Sequence, residues 1–215
     1  PVLSRGLGDV YKRQDELMSI FLPDIIKNGE DILFDVKCSQ SLEDMIKHYG
    51  GNPIMWKTGH SLIKQKMTEV GCKFGGEMSG HIFFADDYYG YDDAIYVAAR
   101  LLELLSKTNK SLSELRSIIP VYHSTPEMRM EAKDDEEKFK ITKKAIEYFT
   151  KNYDCITVDG VRILFGDGWG LVRSSNTQPV IVCRFEANSI DRRDEIMNLV
   201  LNKLKEFGDL KLVGH

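Results

Sequence analysis

DILFDVKCSQSLEDMIKHYGGNPIMW, residues Asp31 to Trp56, decides the fold. Ile32, Leu33, Phe34 and Val36 form a short apolar run that ends at Lys37 and reads as a buried strand. Ser41 then opens a helical pattern, with Leu42, Met45, Ile46 and Tyr49 at i, i+3, i+4 and i+7, closed by Gly50-Gly51. Pro53-Ile54-Met55-Trp56 is a second strand. A strand, a helix and a strand in so few residues predict a parallel pair with its crossover helix.

The rhythm continues outward. After Lys57-Thr58-Gly59-His60-Ser61 comes a helix with Leu62, Ile63, Met67 and Val70 inward and Gly71 as its stop. A third strand starts at Cys72 and leads into Gly75-Gly76-Glu77-Met78-Ser79-Gly80-His81, followed by the apolar strand Ile82-Phe83-Phe84. Upstream, Leu17, Ile20, Phe21 and Ile25 mark a helix from Asp15 that stops near Asn28-Gly29. Residues 1–14 show neither periodicity and read as a non-native or disordered leader, as though the chain began partway through a protein.

Ligands of such sheets bind beyond the carboxyl ends of the strands. Lys37, the Lys57–Ser61 turn and the Glu77–His81 loop all fall there. In an extended loop Glu77, Ser79 and His81 point the same way. Together they offer an acceptor, a donor-acceptor and a switchable donor, a set suited to sugar hydroxyls; the plainer alternative is a polar turn between strands. Further on, Asp92 is expected to cap a long helix with Ile95, Ala98, Leu101, Leu102 and Leu105 inward, and Ser111–Glu114 is a capping box. Pro120 and His123-Ser124-Thr125-Pro126 break the pattern, which places a domain boundary between residues 123 and 124.

The second part reads strand (127–132), helix (135–152), several strands and a final helix (189–207). Asp159-Gly160 is a hairpin signal, and the charged run Lys133–Lys138 reads as a solvated helix start. Arg173-Ser174-Ser175-Asn176-Thr177 has the donors of a phosphate cradle, although Asn176 and Thr177 are also ordinary turn formers before Pro179. Arg184 is open to ligand contact or to an ion pair with an acid such as Glu186.

Composition narrows the classes. The 215 residues are 42% hydrophobic and 29% charged, as in ordinary globular proteins, and the net charge of −4 argues against a nucleic-acid partner. No apolar run approaches the roughly 20 residues that span a bilayer. The four cysteines, Cys38, Cys72, Cys155 and Cys183, are widely spaced and form no metal-binding or disulfide pattern, so reduced thiols and a cytoplasmic location are expected.

Four segments together resemble the α-D-phosphohexomutase superfamily, most closely its phosphomannomutase/phosphoglucomutase branch. They are Phe34–Cys38, Trp56–Ser61, Gly76–His81 and Gly168–Thr177, in the family's order, and the similarity runs from about Asp15 to about Phe207. The resemblance implies the third and fourth of four domains. The third is a βαβ-type α/β domain with a mixed sheet (15–123), the fourth a smaller α+β domain like a TATA-binding-protein module (124–215). It implies sugar contacts from Glu77, Ser79 and His81, supporting positions in the cleft for Lys37 and His60, and a phosphate clamp of Arg173, Ser175, Asn176 and Thr177. It implies hexose phosphate substrates, a hexose 1,6-bisphosphate intermediate, a phosphorylated serine, and Mg2+ held by an Asp-Gly-Asp-Gly-Asp-Arg loop. Neither that loop nor the serine segment occurs in this sequence, so no metal ligand is assigned. The expected reading is a piece of such a mutase, inactive alone and lacking its N-terminal half; the alternative is a stand-alone sugar-phosphate binding module.

Overall fold

The computed structural model describes residues 14–175 and 178–213. The proposed leader lies outside these residues, apart from Gln14, which begins the first helix. Two units divide between Pro120 and Val121. The first contains, in order, α1 (Gln14–Ile25), β1 (Asp31–Asp35), α2 (Gln40–His48), β2 (Asn52–Trp56), α3 (His60–Val70), β3 (Phe74–Gly76), β4 (Ile82–Phe84), α4 (Ala94–Ser106) and α5 (Leu112–Arg116).

Its sheet has the order β2-β1-β3-β4, with β1 parallel to both β2 and β3 and β4 returning antiparallel. Alternation along β1 explains the layers. Ile32 and Phe34 join the core made by Phe21, Leu22, Leu42 and Ile46 of α1 and α2, whereas Leu33 joins Ile63 and Met67 of α3. Both faces are covered, which is why these strands read as nearly continuous apolar runs. Ser39, rather than Ser41, caps α2, its hydroxyl accepting from the Ser41 N–H.

Helix α4 departs from the sequence reading. Ile95 is 85% and Leu102 69% exposed, and no residue of the helix is fully buried. Its inner stripe is Tyr96, Val97, Arg100, Leu101 and Leu104. Arg100 decides this rotation: its guanidinium lies 4.5 Å from the Phe84 ring centre and donates to both carboxylate oxygens of Asp86, at 3.0 and 2.9 Å. A charged residue on the inward face shifts the apolar stripe that hydrophobicity alone would choose.

The second unit contains β5 (His123–Ser124), β6 (Met128–Glu131), α6 (Asp135–Asn152), β7 (Asp154–Ile156), β8 (Val161–Leu164), β9 (Gly168–Ser174), β10 (Val180–Ala187), α7 (Ile190–Phe207) and β11 (Lys211–Val213). Its sheet runs β11-β6-β10-β9-β8-β7, every pair antiparallel, with β5 also on β10. His123 pairs with Ala187 and so lies in this unit. Ile181, Cys183, Phe185 and Ala187, alternate residues of β10, meet Ile141, Ala145 and Phe149 of α6 and Ile196, Val200 and Leu204 of α7. The period of two thus leaves Trp169, Arg173 and Arg184 on the opposite face. Among the described residues no helix is long and apolar enough to cross a membrane.

Candidate functional site

Asp35, the last residue of β1, is fully buried. A carboxylate in that position must be satisfied or it destabilises the fold, and three turns satisfy it. The Met78 N–H and the Cys38 thiol donate to Oδ1, both at 3.2 Å, and the Thr58 hydroxyl donates to Oδ2 at 3.1 Å. Lys37, 7% exposed, brings its ammonium to 4.0 Å from Oδ2. The turns after β1, β2 and β3 therefore meet at one side chain, at the carboxyl ends of three parallel strands.

The Glu77–His81 segment is a tight turn rather than an extended arm. The Glu77 N–H donates to the His81 carbonyl at 2.8 Å and the Gly80 N–H to the Glu77 carbonyl at 3.1 Å, closing the β3–β4 hairpin. Gly76 is required here because a Cβ would lie 2.7 Å from the His81 carbonyl oxygen. The three polar side chains consequently do different things. Glu77, 2% exposed, accepts from the Gly59 N–H at the start of α3, a helix terminus that favours negative charge. Ser79 is exposed, and its hydroxyl lies 3.5 Å from the other Glu77 oxygen. His81 is bonded through Nδ1 to the Asp92 carboxylate, and its ring centre is 5.8 Å from that of His60. Asp92 is thus occupied with His81, and Asp93 caps α4, accepting from the N–H groups of Ile95 and Tyr96 at 2.9 and 3.0 Å.

The phosphate candidates lie in the second unit, at the end of β9. Arg173 is 5% exposed, and its Nε donates to Asp159 at 2.9 Å. Gly160, at φ +74°, makes the close approach possible: a Cβ there would lie 2.7 Å from Cα and Cβ of Arg173. The Ser175 N–H donates to the Val180 carbonyl at 2.9 Å, closing the β9–β10 loop. Asn176 and Thr177 lie outside the described residues. Arg184 is 6% exposed and reaches the Ser124 hydroxyl at 3.4 Å, while the buried Glu186 accepts from the Trp169 indole at 2.9 Å.

Sequence reasoning missed the acids behind the chosen side chains. Asp35, Asp92 and Asp159 each hold one or more of them, and Asp35 carried a signal, since it ends an apolar run where an unpartnered carboxylate could not stay. It also misjudged Lys138: the run 133–138 is not wholly solvated, because Lys138 is 2% exposed. Among the described residues no group of three or more His, Cys, Asp or Glu side chains is placed to hold a metal ion.

This fold and these motifs define a class. The alpha/beta/alpha domain III of the phosphoglucomutase/phosphomannomutase family matches residues 13–122, and the C-terminal domain of the same family matches residues 127–203. The chain belongs to this family and corresponds to the C-terminal half of the α-D-phosphohexomutase superfamily. Among its relatives, the phosphomannomutase/phosphoglucomutase of Pseudomonas aeruginosa is 46% identical over 198 residues, covering 89% of this chain and 42% of that protein. The phosphoglucomutase of Neisseria gonorrhoeae is 39% identical, covering 86% of this chain and 41% of its own length. A crystal structure of a phosphoglucomutase/phosphomannomutase family protein from Burkholderia thailandensis superposes with a TM-score of 0.81 at 38% identity, over 92% of this chain and 43% of that one. The chain thus spans less than half the length of these relatives.

Proposed function

We propose that this chain recognises a hexose phosphate and that, within a longer protein, it serves the interconversion of hexose 1-phosphate and hexose 6-phosphate through a hexose 1,6-bisphosphate. The observation that carries this reading is the meeting of three strand-end turns on Asp35, which fixes Lys37, the start of α3 and the Glu77 turn relative to one another. Glu77 and Ser79 read the sugar hydroxyls. With one Glu77 oxygen held by Gly59, the edge shared with Ser79 is the part that meets the ring. Asp92 occupies Nδ1 of His81, which turns Nε2 to the ligand. Lys37 and His60 supply positive charge and a donor beside the reacting groups.

Arg173 and Ser175, with Asn176 and Thr177, grip the phosphate that is not being transferred. Asp159 holds Nε of Arg173, so the two terminal nitrogens are the ones that meet the anion. Phosphoryl transfer is mostly positioning and charge stabilisation, and this chain contributes the positioning. The phosphoserine and the magnesium that the family implies would come from segments without counterpart among these 215 residues.

Calorimetry of the chain with glucose 1-phosphate and mannose 1-phosphate tests the reading. Charge-assisted bonds are worth roughly 1.5–3 kcal/mol, so Arg173→Ala should weaken both ligands by about one to two orders of magnitude. Ser79→Ala should weaken binding less and change the ratio between the two sugars. Equal affinity of Arg173→Ala and the parent would sink the phosphate assignment.

A further inference from the structure

Helix α4 is apolar on both sides. Of its thirteen residues only Arg100 and Glu103 are charged, and Arg100 points inward, over the Phe84 ring. A helix that is apolar all round is normally buried, inside a larger protein or in a membrane. Among the described residues no helix is long and apolar enough for the second. Yet Ile95, Ala98, Ala99 and Leu102 lie open to solvent, Ile95 at 85% and Leu102 at 69%. Their spacing of i, i+3, i+4 and i+7 is that of a stripe made to pack on another element. Just ahead of the helix, Tyr89 and Tyr91 stack with ring centres 5.6 Å apart and are 77% and 54% exposed. Ala98 joins the stripe to a groove of about 670 Å3, lined by Leu17 and Ile20 of α1 and by Val97 and Leu101 of α4. The groove reaches Gly80 and Asp92, beside Ser79 and His81. Apolar surface gathered in this way marks a protein contact.

The occupant follows from where the rest of such a protein attaches. This chain corresponds to the C-terminal half of its family and covers 42% of the Pseudomonas aeruginosa relative, so the larger share of that relative precedes the counterpart of α1. Helix α1 is thus both the element at which that share joins and part of the groove lining. We infer that the outer face of α4 and the adjoining groove are the docking surface for the N-terminal half of the longer protein, which sets an apolar face against Ile95 and Leu102. This rests on the reading above that the chain works within a longer protein. Because the groove reaches Asp92, the docked half also shields the Asp92–His81 bond, whose two side chains are 37% and 40% exposed in this chain. Docking then dries one side of the sugar-facing turn.

The test introduces a reporter thiol by Leu102→Cys, in the 215-residue chain and in a fusion of the Pseudomonas aeruginosa relative's unmatched N-terminal part to Asp15. Maleimide labelling is followed by peptide mass spectrometry, with the half-buried Cys155 of the second unit as internal reference. The introduced thiol should react about tenfold or more slowly in the fusion than in the chain alone, while Cys155 reacts equally in both. Equal rates at the introduced thiol would overturn the inference. So would protection in the chain alone that grows with its concentration and accompanies a dimer in sedimentation, since the occupant would then be a second copy. Should the fusion fail to fold, the two parts are co-expressed with a tag on the N-terminal part. The parent chain should co-purify, and Leu102→Asp, at a position exposed in the chain's own fold, should reduce recovery about tenfold or more. No co-purification of the parent, or equal recovery of Leu102→Asp, refutes the docking surface. Neither measurement uses a ligand, so the phosphate reading can fail by calorimetry while this inference stands, and the reverse.

Discussion

Replacing Asp35 by asparagine keeps the shape of the side chain and removes its charge. The retained oxygen can still accept from Met78 N–H and Cys38, but the Met78 bond loses its charge assistance, worth about 1 kcal/mol. At the other position an NH2 group would face the Lys37 ammonium, now 4.0 Å from a carboxylate oxygen. Weakening a buried ion pair of that kind adds roughly 1–3 kcal/mol. The first unit should therefore lose about 2–4 kcal/mol. The chain has two tryptophans, Trp56 on β2 and Trp169 on β9. 5-Fluorotryptophan labelling separates the two units as two 19F signals during urea unfolding. At a slope of about 1.5 kcal/mol per molar urea, the Trp56 transition should move down by about 1.3–2.7 M. A Trp56 midpoint within about 0.3 M of the parent would show that Asp35 does not hold the turns together.

Gly160→Ala forces an alanine into φ +74° and a Cβ against the backbone of Arg173; it should destabilise the second unit by about 2–4 kcal/mol, read from the Trp169 signal, and weaken phosphate binding. Burial pushes the Cys72 thiol up to about 11 and the Cys183 thiol up to about 12, against an ordinary value of 9.0. The folded chain then keeps these protons at pH values where the unfolded chain gives them up. The contribution of these two thiols to stability should be flat below pH 9 and fall by about 1.4 kcal/mol per pH unit per thiol between pH 9 and 11. Cys183→Ala should make that slope shallower, and an unchanged slope would contradict the assignment. Purified free of host enzymes, the chain alone should show no conversion of glucose 1-phosphate to glucose 6-phosphate, with or without magnesium; turnover in a coupled assay would overturn the division of labour proposed here.

The layers of the first unit were legible because β1, β3 and β4 are buried on both faces and α2 carries a clean apolar stripe of Leu42, Met45 and Ile46. The hairpin at Asp159-Gly160 was legible for a local reason, the positive φ that glycine supplies. What escaped were pairings across long sequence separations. Nothing near Lys138 in the chain reveals two carbonyls 37 and 40 residues away. Nothing beside Asp92 distinguishes it from Asp93 as the cap until His81 is placed next to it. The inward face of α4 was misread because Arg100, a charged residue, holds a place among the aromatic side chains. The Glu77–His81 arm folded back because a short β3–β4 hairpin leaves no room for extension.

The two oxygens of Asp35 also constrain how sugar preference could be altered. Exchanging the Gly76–His81 segment for a relative's version would carry Met78 with it while leaving Thr58 and Cys38 behind, and all three draw on the same carboxylate. Grafts that respect only the visible contact loop would arrive with their anchor already shared among strangers. Residues 34–38, 56–61 and 76–81 form one inheritable module despite their separation along the chain, and recombination breakpoints placed between them should yield fewer soluble chimaeras than breakpoints placed near Pro120.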